Sequence, residues 1–95
     1  MAETVDELTV AYEDGGIETV KEIDKKVLTK GAWATLIFRY QDWNNAKGEY
    51  GPDKYTIRRY QKQKGEYRQK SKFNISSKDQ AKSIIEALSV WVDDE

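Results

Sequence analysis

The sequence predicts an α+β fold, a curved antiparallel sheet laid down first and one C-terminal amphipathic helix added last. Residues 33–43 (WATLIFRYQDW) and 53–77 (DKYTIRRYQKQKGEYRQKSKFNISS) alternate their side chains with the two-residue period of strands. After Ser76 the period lengthens to that of a helix, and Ala81, Ile84, Ile85, Leu88, Trp91 and Val92 fall into one apolar stripe. Turn-forming residues separate these tracts: Gly15-Gly16, Lys30-Gly31 and residues 44–52 (NNAKGEYGP), which hold the single proline.

Taken in order, residues 1–16 are acidic and end at the Gly-Gly break, as a frayed tail or as an edge strand in which Leu8, Val10 and Tyr12 alternate. In residues 17–28 the spacing of Val20, Ile23 and Val27 fits a helical turn or an irregular strand. The β-branched content and the Lys30-Gly31 turn favour the strand. Residues 33–43 form the clearest strand. Ala34, Leu36, Phe38 and Tyr40 make its better core face, which leaves Trp33, Thr35, Ile37, Arg39, Gln41 and Trp43 on a partly solvated one.

In the hairpin of residues 53–77, Tyr55, Ile57, Tyr67, Phe73 and Ile75 are the core set. Thr56, Arg58, Tyr60, Lys62, Arg68, Lys70, Lys72 and Asn74 point the other way. Lys64-Gly65, flanked by Gln63 and Glu66, joins the arms through a loop that is long for a tight hairpin. Ser76 with Asp79, or Ser77 with Gln80, supplies a capping box for the helix, and the acids at 93–95 oppose its macrodipole and favour fraying. The helix is expected to cover one face of the sheet and leave the other open.

Composition limits the chemistry. A chain of 95 residues with 38% hydrophobic and 35% charged content suits one small domain, near the size at which a single core is barely sufficient. Self-association is the expected remedy, and the apolar stripe of Ile84, Ile85, Leu88 and Trp91 is the surface for a symmetric homodimer. There is no cysteine and no histidine, so thiolate chemistry is excluded and the commonest metal ligand and general base are missing. Asp42 with Glu49 or Asp53 resembles a carboxylate pair, but at a strand end and in a turn such residues usually serve the backbone. No enzyme and no cofactor are expected. Without a signal-like or membrane-spanning apolar run, a soluble cytoplasmic protein with no membrane partner is expected.

Charge is segregated along the chain. Residues 1–29 carry a net charge of −5, residues 30–75 a net +7 and residues 76–95 a net −3. Affinity for phosphates depends on where cations meet them and not on the chain total, here −1. Arg39, Arg58, Lys62, Arg68, Lys70 and Lys72 are therefore candidates for phosphate contact, with Trp33, Trp43 and Tyr60 as stacking surfaces for unpaired bases. The competing reading of Trp33 and Trp43 is that they cap the ends of the core. On the first reading, residues 17–95 form a single-stranded nucleic-acid-binding domain preceded by the acidic residues 1–16. A second hypothesis makes the chain a protein-interaction module that engages a polymerase or another partner through the helix and the acidic termini.

The strand ending near Trp43, the glycine-bearing loop, the strand core KYTIRRY, a second basic arm and the FNIS sequence leading into one amphipathic helix together resemble the positive cofactor four family of single-stranded-DNA-binding transcriptional coactivators, especially its compact bacterial and viral members. The resemblance spans roughly residues 17–92. It implies a four-stranded antiparallel sheet, a homodimer paired through the helix, and two grooves for single strands. It also implies phosphate contact at Arg58, stacking at Tyr60, an arginine and an aromatic at Arg39 and Trp43, and a basic arm at Lys70 and Lys72. Gln61 departs from it by standing where some members carry tryptophan, and Lys72 by standing where glycine is usual. The implied partners are single-stranded DNA, or RNA, and proteins of transcription, replication or recombination. The implied location is the bacterial cytoplasm or nucleoid, or a host cell for a viral protein.

Overall fold

The computed structural model describes residues 3–93, so Asp94 and Glu95 of the acidic C-terminus lie outside it. In chain order the elements are β1 (Tyr12–Asp14), β2 (Ile17–Thr29), β3 (Trp33–Asn44), β4 (Glu49–Tyr50), β5 (Lys54–Gln63), β6 (Glu66–Ile75) and α1 (Lys78–Val92), preceded by a 3-10 turn at Val5–Glu7. One antiparallel sheet holds the strands in the order β1-β2-β3-β5-β6, with β4 paired to β3. Four strands are long and two are short. The short ones, β1 and β4, arise in tracts read as an acidic tail or edge strand and as a turn-rich loop.

The β-branched tract at residues 17–29 is a strand along its whole length, as Val20, Val27 and their neighbours favour. Register shifts interrupt the ladders at Glu22/Asp24, Val27/Thr29 and Arg59/Tyr60, and such bulges bend a strand and increase its twist. They account for the curl of the sheet. The β5–β6 connection is a tight two-residue turn, since Gln63 pairs directly with Glu66. Lys64 and Gly65 both adopt positive φ, 53° and 81°, the geometry that matches the right-handed twist of a hairpin. The long loop expected there is replaced by this turn because Gly65 accepts that conformation at no steric cost.

The core lies on one sheet face. Ala34, Leu36 and Phe38 are fully buried there, with Tyr60 and Tyr67, and the cover is the N-terminal segment, which inserts Leu8 and Val10. Burying one large apolar side chain is worth about 1.5–3 kcal/mol, so these two anchors contribute materially to a small domain. The expected cover, the helix, is elsewhere. Its main contact is with β6, where Ile75 is buried and Ala81 and Ile84 are half-buried. Ile85, Leu88, Trp91 and Val92 remain exposed. Helical periodicity marks an apolar stripe without naming what covers it, and here the chain supplies its cover from the other terminus.

Ser77 caps α1 by accepting the Gln80 backbone N–H at 3.1 Å, while Gln80 Oε1 accepts the backbone N–H of Ser76 at 3.0 Å. The first bond satisfies an orphan donor of the first turn, and the second ties the Gln80 side chain back to the segment entering the helix. With the helix extending from the sheet, the radius of gyration is 15.3 Å, against about 12 Å for a compact chain of this length. The molecule therefore keeps much of its apolar helix surface away from its own core.

Candidate nucleic-acid interface

Register decides which side chains meet. Ala34 pairs with Tyr60, Leu36 with Arg58 and Phe38 with Thr56, and directly opposed residues project to the same face. Arg58 and Tyr60 therefore stand on the core face and not on an uncovered one. Tyr60 is 5% exposed and Thr56 1%, whereas Phe73, expected in the core, is 53% exposed. Alternation tells which residues share a face within a strand, but a one-residue change of pairing between strands exchanges the faces. Thr56 meets its burial by donating its hydroxyl proton to Asn74 Oδ1 at 2.7 Å.

The candidate residues consequently divide. Arg58, Tyr60, Lys62 and Lys72 share the core face, through pairings with Leu36, Ala34, Tyr67 and Arg58 respectively. Trp33, Arg39, Trp43 and Arg68 belong to the opposite, open face. Lys70 is the extra residue of the bulge, since Ser71 pairs with Arg59 and Gln69 with Tyr60. Tyr60, Arg58 and Trp43 do not emerge together.

On the core face, Arg58 Nη1 donates to Gln69 Oε1 at 3.2 Å, while its Nε is buried with no acceptor. Burial pushes the Tyr60 phenol above its ordinary pKa, and the neighbouring Arg58 charge works against that shift. Lys62 lies over the Tyr67 ring with its ammonium 5.5 Å from the centroid. Lys62, Gln69 and Lys72 remain exposed along this margin.

On the open face, the Arg59 guanidinium sits 4.7 Å from the Trp33 ring centroid, and Trp33 is 42% exposed. Arg59 was not among the candidates from the sequence, although the Arg58-Arg59 pair necessarily sends one guanidinium to each face. Trp43 lies ten residues along β3 from Trp33, about 33 Å away at the usual strand rise, so the two indoles do not form one platform. Trp43 packs edge-on against Tyr50 at 5.1 Å and donates its indole N–H to Asn45 Oδ1 at 3.0 Å. Lys21 in turn covers the Tyr50 ring at 5.2 Å. Arg39 is occupied by Asp53, to which its Nε donates at 2.6 Å. The Gln41 amide also donates to Asp53, at 2.7 Å.

The strongest electrostatic feature is the β5–β6 hairpin. Residues 54–75 hold eight cations and one acid. Lys54 is paired with Asp42 at 2.9 Å, and Arg68 approaches Glu66 at 3.9 Å. Arg58, Arg59, Lys62, Lys64, Lys70 and Lys72 have no carboxylate within ion-pairing distance among the described residues. Of the residues assigned to a dimer surface, Ile84 is half-buried, and Ile85, Leu88 and Trp91 are 63%, 51% and 72% exposed.

Comparison with family models, curated proteins and solved structures finds no match to this chain. No helix among the described residues is long and apolar enough to cross a membrane.

Proposed function

We propose that this chain binds single-stranded DNA, or RNA in the same unpaired form, with little sequence preference, in the service of transcription, replication or recombination. The observation that carries the reading is the β5–β6 hairpin, where six cations lack a carboxylate partner among the described residues. Cations left unpaired along two adjacent strands suit a polyanion that runs beside them. Phosphates would follow Arg58, Lys62 and Lys72, with Lys70 at the bulge. The half-exposed Trp33 ring beneath Arg59 offers a stacking surface beside the hairpin, whereas the Tyr60 ring is buried under the N-terminal segment. Stacking accepts every base and is worth about 1–3 kcal/mol each, which gives affinity without sequence readout.

The same reading includes a symmetric homodimer. The exposed Ile85, Leu88 and Trp91 stripe and the open-face residues Ile37, Ile57 and Phe73 are apolar surface that one chain leaves uncovered. A second reading, a module that engages another protein, draws on that same stripe.

Titration of fluorescein-labelled oligo-dT and of a matched duplex tests the function. Single strands should bind more tightly, with log affinity falling by about 0.7 per log unit of salt for each phosphate neutralised. Arg58→Ala and Lys72→Ala should each weaken binding and shallow that slope by about one phosphate. Salt-independent binding, or equal affinity for duplex, would remove the proposal. No oligonucleotide binding, with capture of a partner that Trp91→Ala abolishes, would favour the second reading.

A further inference from the structure

Resting on the single-strand reading, we infer that residues 5–10 form a strap that competes with nucleic acid for the core face of the sheet, so that full engagement requires the strap to lift. The segment joins no strand ladder over Leu8–Ala11, and it begins in a single 3-10 turn at Val5–Glu7. It is held by side chains instead. Leu8 and Val10 are 6% and 8% exposed in the cluster that contains Tyr60. Thr9 donates its hydroxyl proton to Glu22 Oε1 at 2.7 Å.

Lys25 completes the attachment. Its ammonium donates to the carbonyl oxygens of Val5, Asp6 and Leu8 at 3.0, 2.9 and 2.7 Å, which uses all three of its donors. The groups on this face are those a single strand needs: a buried aromatic ring, an arginine N–H with no acceptor, and an ammonium surrounded by oxygens. Phosphate oxygens can replace the strap carbonyls at Lys25 and supply the acceptor missing at Arg58 Nε. A base can replace the aliphatic cover over Tyr60. Asp6 and Glu7 make no ion pair among the described residues, so their charges repel an arriving backbone while the strap is closed. The closed strap thus lowers the population competent for full binding, and apparent affinity falls by that fraction.

Hydrogen exchange of the intact chain with and without oligo-dT tests this directly, with circular dichroism reporting the fold. Saturating oligo-dT should speed exchange at residues 5–11, and the double variant Leu8→Ala/Val10→Ala, which keeps every charge, should show fast exchange there unliganded and bind about tenfold more tightly. Deletion of residues 1–11 should match it if the double variant stays closed. Slower exchange at 5–11 on binding, or a released strap with unchanged affinity, overturns the strap while leaving single-strand binding intact. Absence of binding by the intact chain and by both variants removes the function and the strap together.

Discussion

The two faces of the sheet are written by the same alternating strands and finish in opposite states. On one, Ala34, Leu36 and Phe38 are wholly buried beneath residues from the N-terminus; on the other, Ile37 and Ile57 are half-buried and Phe73 is 53% exposed. Each strand of this kind offers two candidate interiors, and connectivity decides which is filled. The helix, the element most suited to cover the second face, touches mainly β6 through its first turns and extends away with Ile85, Leu88, Trp91 and Val92 bare. A bare stripe and an unfilled face on one chain are complementary in chemistry, and two copies can satisfy both.

The largest difference expected between the faces is in stability. Phe38→Ala should cost about 3–5 kcal/mol in urea denaturation, through lost transfer free energy and the cavity left behind. Phe73→Ala should stay within about 0.5 kcal/mol in dilute protein, as an exposed position does. Costs that become equal only at high protein concentration would show a second copy covering Phe73. Equal costs at every concentration would mean that the two faces are equally filled within one chain.

Next in size is the effect of Trp91→Ala on association. At 72% exposure this residue adds little to the fold of one chain, so unfolding at low concentration should change by about 0.5 kcal/mol or less. Sedimentation at higher concentration should give the mass of two chains for the parent and shift toward one for the variant. A parent that stays monomeric throughout would assign the open face to solvent or to a different partner.

Much of the architecture was legible in the residues. Alternation at residues 33–43 and 53–77 identified a strand and a hairpin, and the change of period after Ser76 identified the helix. The core set Ala34, Leu36 and Phe38 followed because three apolar residues shared one side. What stayed illegible was pairing between strands. Arg58 and Tyr60 alternate perfectly well as solvent-facing residues, and only their register with Leu36 and Ala34 turns them inward. The N-terminal cover escaped for a related reason. Leu8 and Val10 sit among Asp6, Glu7 and Glu13, so the stretch reads as a tail or an edge strand, and neither reading puts its two buried anchors over the core. The candidate site was half legible, since the cationic hairpin was visible as composition while Arg59 beside Trp33 required the sheet.

The smallest effect concerns the rim of the open face, where Asp53 joins Gln41 and Arg39. Donation from the Gln41 amide, then from the Arg39 guanidinium, holds the Asp53 carboxyl below its ordinary value of 3.8, and partial desolvation only reduces that shift. A carboxylate whose folded pKa is lowered binds fewer protons folded than unfolded. Its contribution is therefore complete above pH 3.8 and is lost as pH falls through the lower folded value. NMR titration of the Asp53 carboxyl carbon should find a midpoint below 3.8, and Gln41→Ala and Arg39→Ala should each move it upward. Asp53→Asn should flatten the acid limb of stability slightly, because the site is at the surface and water screens it. A midpoint at the ordinary value would mean that Arg39 is not committed to Asp53. Its guanidinium would then join Arg59 as an available cation, and the open face would resemble the hairpin margin in its free positive charge.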